Sequence, residues 1–228
     1  MNLIDEYRQE VKENIAALGR DKALWDSTVS WIVQANAHRY TYNFNWLGRP
    51  IIQFPQDMAA MQELVWKIKP DLIIETGIAH GGSLILSASL LSMLDYCEAV
   101  ESGKALDPKE TKRRVLGIDI DIRPHNREAI EAHPMSHRID MIQGSSIDAG
   151  VVDQVREYAN GYKKVLVFLD SNHTHEHVLA ELEAYAPLTS VGSYCCVFDS
   201  LVEDMPEDMF DDRPWARAIT QRQRFGSI

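Results

Sequence analysis

Cysteine is scarce in this chain: Cys97, Cys195 and Cys196 are the only three in 228 residues, and they form neither a disulfide framework nor a zinc-type spacing. Such sparing use fits a reducing, cytoplasmic setting. Cys195 and Cys196 fall in an apolar run, where cysteine usually serves as a small buried hydrophobe. Positive charge is also in deficit, since 23 Lys and Arg against 34 Asp and Glu leave a formal net charge of -11. That balance predicts no nucleic-acid partner, because phosphates would be repelled before contact, and it disfavours an anionic membrane surface. No apolar run approaches the length of a membrane span, and the polar opening MNLIDEYRQE has no signal-peptide character. Internal repeats and low-complexity segments are missing too. What remains, 45% hydrophobic and 25% charged, is the composition of an ordinary globule, long enough for one domain with a small appendage.

The hydrophobic pattern changes near residue 56. Residues 3–18 and 23–37 carry apolar side chains at helical spacing among charges. These amphipathic helices suit either the pairing of subunits in a homo-oligomer or the padding of a sheet. The aromatic and Asn-rich stretch YTYNFNWLGRPIIQFP, closed by Pro55, cannot be regular helix and is expected to line a pocket or cover a sheet edge. Residues 1–55 thus read as an N-terminal extension and 56–228 as the main domain. From Pro70 onward, short apolar runs alternate with helical ones: 72–75, 114–120, 139–143, 165–170 and 193–198 as strands, with helices between them. This is the pattern of a Rossmann-like α/β fold, a mostly parallel sheet covered by helices on both faces. Ligands in such sheets gather at the carboxyl ends of the strands. Glu75, Asp119, Ser145 with Ser146, Asp170 and Asp199 all fall at those ends; loop starts and helix caps would account for one or two of them.

The first strand runs into Glu75-x-Gly77-x-x-x-Gly81-Gly82, which lacks the glycine spacing of dinucleotide enzymes. A carboxylate there repels a pyrophosphate but suits a cationic ligand such as S-adenosylmethionine. Asp119 is placed to accept hydrogen bonds from ribose hydroxyls, and Ser145 and Ser146 to edge the adenine. Asp170 and Asp199 lie one strand–helix–strand unit apart, and neighbouring parallel strands are roughly 5 Å apart, so the two carboxylates can share one Mg²⁺ or another divalent cation. His173 is a candidate general base for an acceptor hydroxyl. The alternate histidines His173, His175 and His177 also raise a metal cluster, but on a helix His175 would leave the face shared by the other two. His175 and His177 are expected to face solvent.

At these residues the chain resembles the family named for cephalosporin hydroxylase, which includes rhamnosyl and macrolide-sugar O-methyltransferases, and more distantly catechol O-methyltransferase. The resemblance runs from about Tyr40 to Trp215 and is carried by IIETGIAHGGS, GIDIDIRPHN, IQGSS and VLVFLDSNHTHEHVLAELEAYAPL. It implies a methyltransferase acting on a hydroxyl of a sugar in a glycan, glycolipid or glycosylated natural product. S-adenosylmethionine would be bound by Glu75, Gly77, Asp119 and Ser146, with Gln56, Ala79, Gly81, Ser83, Ser145 and Asp170 completing the candidate set. The metal set implied is Asp170, Asp199 and Ser200, and His173 matches the family's base.

The chain departs from the family at two points. Where relatives carry two adjacent polar ligands it reads Phe198-Asp199-Ser200, with Glu203 and Asp204 as possible substitutes, and after Trp215 it ends in a short basic tail that predicts a shortened substrate pocket. Two other readings stand beside the enzyme: a degenerate cofactor-binding protein, and a hydroxylase whose iron would need two histidines and one carboxylate, on paper His173, His177 and Asp170.

Overall fold

The computed structural model describes residues 2–206 and 209; the basic tail and Trp215 lie outside them. The chain divides into two units, Met1–Tyr40 and Thr41–Ile228. Residues 41–55, grouped by sequence with the extension, therefore belong to the same unit as the sheet. In the first unit, α1 (Leu3–Arg20) is capped by Asn2, whose side chain accepts from the Asp5 amide at 2.9 Å. Asp21 ends α1 and starts α2 (Lys22–Asn36), accepting from the Leu24 amide at 3.0 Å. Neither helix has a buried residue.

The second unit opens with a hairpin that the sequence did not announce. Strands β1 (Phe44–Trp46) and β2 (Arg49–Ile51) pair antiparallel, with Trp46 opposite Arg49. The connecting Leu47 and Gly48 both have positive φ, 45° and 86°, as a tight two-residue turn requires. Leu-Gly is not the Asn-Gly or Asp-Gly dipeptide that usually marks such a turn, and that is why the stretch reads as irregular. Helix α3 (Pro55–Ile68) follows, with proline in its first turn.

Among the described residues, five parallel strands form the sheet: β3 (Leu72–Thr76), β4 (Arg114–Asp119), β5 (Ile139–Gln143), β6 (Val165–Leu169) and β7 (Cys195–Val197), in spatial order β5-β4-β3-β6-β7. Their period-2 alternation divides the core in two. Ile73, Val115, Leu166 and Phe168 pack with α3, α4 (Gly82–Ser102) and α5 (Pro124–Glu131); Leu72, Ile74, Leu116, Val165 and Val167 pack with α6 (Ala149–Ala159) and α7 (His175–Tyr185). The expected parallel α/β architecture with helices on both faces is what the chain adopts. The chain steps from β3 outward to β4, then returns to place β6 on the other side of β3, so the winding reverses between β3 and β6. Ligand crevices form at such a reversal.

One expectation is corrected by α4. Its 21 residues are long and apolar enough to cross a bilayer, contrary to the reading that no run comes near that length. Half of its apolar window is buried inside the protein, and Leu84, Ile85, Leu86, Ala88, Leu90 and Leu91 belong to the core, so its hydrophobicity is that of a central helix.

Candidate functional site

At the reversal point the backbones of β3 and β6 come unusually close. Gly77 has φ 91°, and a Cβ there would lie 2.1 Å from the Asp170 carbonyl oxygen. Gly81 (φ 83°) is filled in the same way, a Cβ meeting the Ile130 side chain at 2.4 Å. Both glycines therefore serve the packing of the loop, quite apart from any close approach of a ligand. Asp119 ties this loop to the next strand: Oδ2 accepts from the Ile78 amide at 2.8 Å and from Ala79 at 3.2 Å, and Oδ1 accepts from Asp121 at 3.0 Å. Ala79, exposed and at φ 46°, holds a left-handed conformation unusual for a residue with a side chain.

Glu75 is not displayed on the rim. It is the penultimate residue of β3 and 2% exposed, and it receives hydrogen bonds from the hydroxyls of Ser83 and Ser87 on α4. Burial raises its pKa to about 7 despite those hydroxyls.

Asp170 follows β6 directly, and its amide extends the ladder to Thr76. Gln53, 6% exposed on the segment between β2 and α3, donates to Asp170 Oδ2 at 2.6 Å. One ligand atom each from Asp170, His173 and Asp199 lie within 4.8 Å of one another, with His173 Nε2 3.4 Å from Asp199 Oδ2. Asp199 adopts φ 54°, a strained left-handed conformation at the end of β7. Burial, followed by the negative charges of Asp199, Glu75 and Asp57, pushes the Asp170 pKa well above its ordinary value. Asp57 is shifted the same way by burial and by Asp199. Among the described residues, no lysine or arginine forms an ion pair with Asp170 or Asp199. Uncompensated carboxylates converging with one imidazole are a donor set that suits a divalent cation.

Three of the expected residues take other positions. Gln56 is exposed on the first turn of α3, whereas Gln53 reaches the acids. Ser200 is exposed at the start of the 3-10 turn Ser200–Asp204, which also carries Glu203 and Asp204. His177 does not face solvent: its side chain is 18% exposed, and Nε2 lies 3.0 Å from Ser146 Oγ, 3.2 Å from Ser171 Oγ and 3.5 Å from Glu181 Oε1. Because α7 begins at His175, His173 precedes the helix and shares no helical face with His177. The metal-competent trio thus has one histidine and two carboxylates, not the two histidines and one carboxylate of the hydroxylase reading. Ser146 is 5% exposed and held by His177, while Ser145 is half-buried beside it.

Comparison with known proteins bears on this geometry. The model of the family described as rhamnosyl O-methyltransferase/CmcI matches residues 38–221. The chain belongs to that family. A rhamnosyl O-methyltransferase of Mycobacterium bovis (strain BCG / Pasteur 1173P2) is 30% identical over 155 residues, covering 66% of this chain and 54% of its own length. One from Mycobacterium leprae (strain TN) is 28% identical over 178 residues, with 74% and 68% covered. The chain spans about half the length of the first of these relatives. Similar solved structures include CmcI with SAH (17% identity, TM-score 0.47, 73% of this chain and 71% of that one) and CalS11, a TDP-rhamnose 3'-O-methyltransferase (20%, TM-score 0.48, 70% of each chain).

Proposed function

We propose that this family member is an S-adenosylmethionine-dependent O-methyltransferase that acts on a hydroxyl, with a sugar of a glycan, glycolipid or glycosylated natural product as the acceptor. The observation that carries the reading is the convergence of Asp170, His173 and Asp199 at the carboxyl ends of β6 and β7, beside the reversal point of the sheet. Family membership supports the chemistry, the names of the mycobacterial relatives support a rhamnosyl acceptor, and solved structures of similar proteins hold Mg with SAM or SAH. Asp170 and Asp199 would hold a divalent cation such as Mg²⁺, with Ser200 at the edge of the set. Such a cation makes a nearby hydroxyl more acidic. With Asp170 and Asp199 as the cation's ligands, His173 would remain the base for the acceptor hydroxyl proton, and S-adenosylmethionine would supply the methyl group and leave as S-adenosylhomocysteine. Asp119 and Ser146 hold the nucleoside, and Gln53 fixes the orientation of the Asp170 carboxylate. The free thiols Cys97, Cys195 and Cys196 are consistent with a cytoplasmic location.

Calorimetric titration with S-adenosylmethionine and S-adenosylhomocysteine, with and without Mg²⁺, tests this reading. Heat from neither ligand would remove it; binding that ignores Mg²⁺, without turnover, would favour a degenerate cofactor-binding protein. With rhamnosyl glycosides as acceptors, Asp170→Asn is expected to abolish S-adenosylhomocysteine formation while changing cofactor affinity less than about threefold. Asp119→Ala should weaken cofactor binding first.

A further inference from the structure

The loop between β3 and α4 contains a turn from Ile78 to Gly81, closed by the Gly81 amide donating to the Ile78 carbonyl at 2.7 Å. Ala79 is the first of its two central residues, at φ 46°, a backbone conformation that glycine adopts freely and alanine does not. A left-handed alanine persists only where its surroundings over-determine it. Two side chains do so here. The Ala79 amide donates to Asp119 Oδ2 at 3.2 Å, and the Ala79 carbonyl accepts from Asn126 Nδ2 on α5 at 2.9 Å. The next carbonyl, that of His80, accepts from Arg49 on β2, from Nε at 3.1 Å and also from Nη2.

Arg49 also determines which way Asn126 faces. A guanidinium only donates, so Arg49 Nη2, 3.3 Å from Asn126 Oδ1, holds that oxygen toward itself and turns the amide hydrogens to Ala79. Asn126 is 5% exposed, so water offers it little alternative. The elements that carry the two residues are themselves pinned. A Cβ on Gly82 would lie 2.2 Å from the carbonyl oxygen of Pro50, the residue after Arg49, and His133, just past α5, meets the Leu47 carbonyl at 3.0 Å. We propose that Arg49 and Asn126 are positioning residues that hold Ala79 left-handed, so that its amide keeps the Asp119 carboxylate oriented for the nucleoside before the cofactor arrives. A preformed loop spares binding the cost of ordering it. The proposal deepens the methyltransferase reading and rests on it.

The test measures S-adenosylhomocysteine affinity by calorimetry in the full chain. Asn126→Ala should weaken binding about tenfold. Asn126→Asp keeps the shape and the oxygen facing Arg49 but loses the hydrogens for the Ala79 carbonyl, and it is expected to weaken binding as much. Adding Ala79→Gly to Asn126→Ala should recover about threefold, because glycine holds a positive φ without the clamp; a role in packing alone would give no such rescue. Arg49 is half-buried and keeps the proposal testable if the Asn126 variants do not fold. Arg49→Met is expected to weaken binding about fivefold and to regain about twofold with Ala79→Gly. Affinities within about twofold of wild type in the folded single variants at Asn126 or Arg49, or no recovery on adding Ala79→Gly, would overturn the proposal, while the wild-type titration still supports the methyltransferase reading. Absence of binding by the wild type would defeat that reading itself.

Discussion

Glu75 combines a carboxyl group, near-complete burial and two hydroxyl partners, and its pKa stands at about 7 against an ordinary 4.5. A folded-state value above the unfolded one means that protonation favours the fold. The stabilising contribution is complete below pH 4.5 and is lost as the pH rises through 7. Glu75→Gln should therefore flatten the stability profile between pH 5 and 8, removing a dependence on the order of 3 kcal/mol. Urea melts at the two pH values provide the check, and parallel slopes for wild type and variant would contradict it. Asp170 is shifted in the same direction and adds to the slope of the metal-free protein. At this scale the sequence placed Asp119, Ser146, Asp170, His173 and Asp199 by their position after strands. It gave no sign of Gln53, which lies in a segment without periodicity, and Asp57 reads as an ordinary acid in a helical first turn. His177 reads from the sequence as a solvent-facing residue at a helix start, whereas the structure turns it inward. The four-residue spacing of an imidazole, a carboxyl and a phenol was the signal that could have found the buried face.

Among the elements, the loop between β3 and α4 and the turn between β1 and β2 use glycine for different reasons, and the difference can be measured. Gly48 has φ 86° and open space where a Cβ would be, so Gly48→Ala meets only the backbone penalty, about 1 kcal/mol. Gly77→Ala meets that penalty and the Asp170 carbonyl as well, and at 2.1 Å one of the two backbones must move. A loss of more than about 4 kcal/mol, or failure to fold, is expected for Gly77→Ala. Equal melting temperatures for the two variants would show that the close approach does not matter. Helix α7 has two duties: it packs Leu182 and Tyr185 on one sheet face and presents His177 and Glu181 to the strand ends. The helices and buried strands were legible because a parallel sheet covered on both faces leaves continuous apolar runs separated by amphipathic ones. The hairpin was not, because its turn depends on backbone conformation at Leu47 as well as Gly48.

For the sheet unit as a whole, concentrated negative charge at one rim makes stability depend on what binds there. If Asp170 and Asp199 hold a divalent cation, millimolar Mg²⁺ should raise the melting temperature, and more at pH 8 than at pH 5.5, because protons compete for the same oxygens. Ligand at about 100 times its dissociation constant adds roughly 2.7 kcal/mol, a shift of several degrees for a domain of this size. A melting temperature indifferent to Mg²⁺ at both pH values would count against the cation site. The order of apolar and polar residues along the chain was enough to determine the parallel α/β architecture and to put an acid or serine at or just past the ends of β4, β5, β6 and β7, since strand burial and strand ends are local properties. The pairing of Asp170 with Asp199 was readable from their spacing, but tertiary structure alone decided how the groups are buried and which further residues reach them. Asp170 and His173, which follow β6, meet Asp199 because β7 lies beside β6; Glu75 is withdrawn under α4; and His177 turns inward to Ser146, a residue 31 positions away. Such encounters depend on crossover direction and backbone proximity, which no local periodicity records.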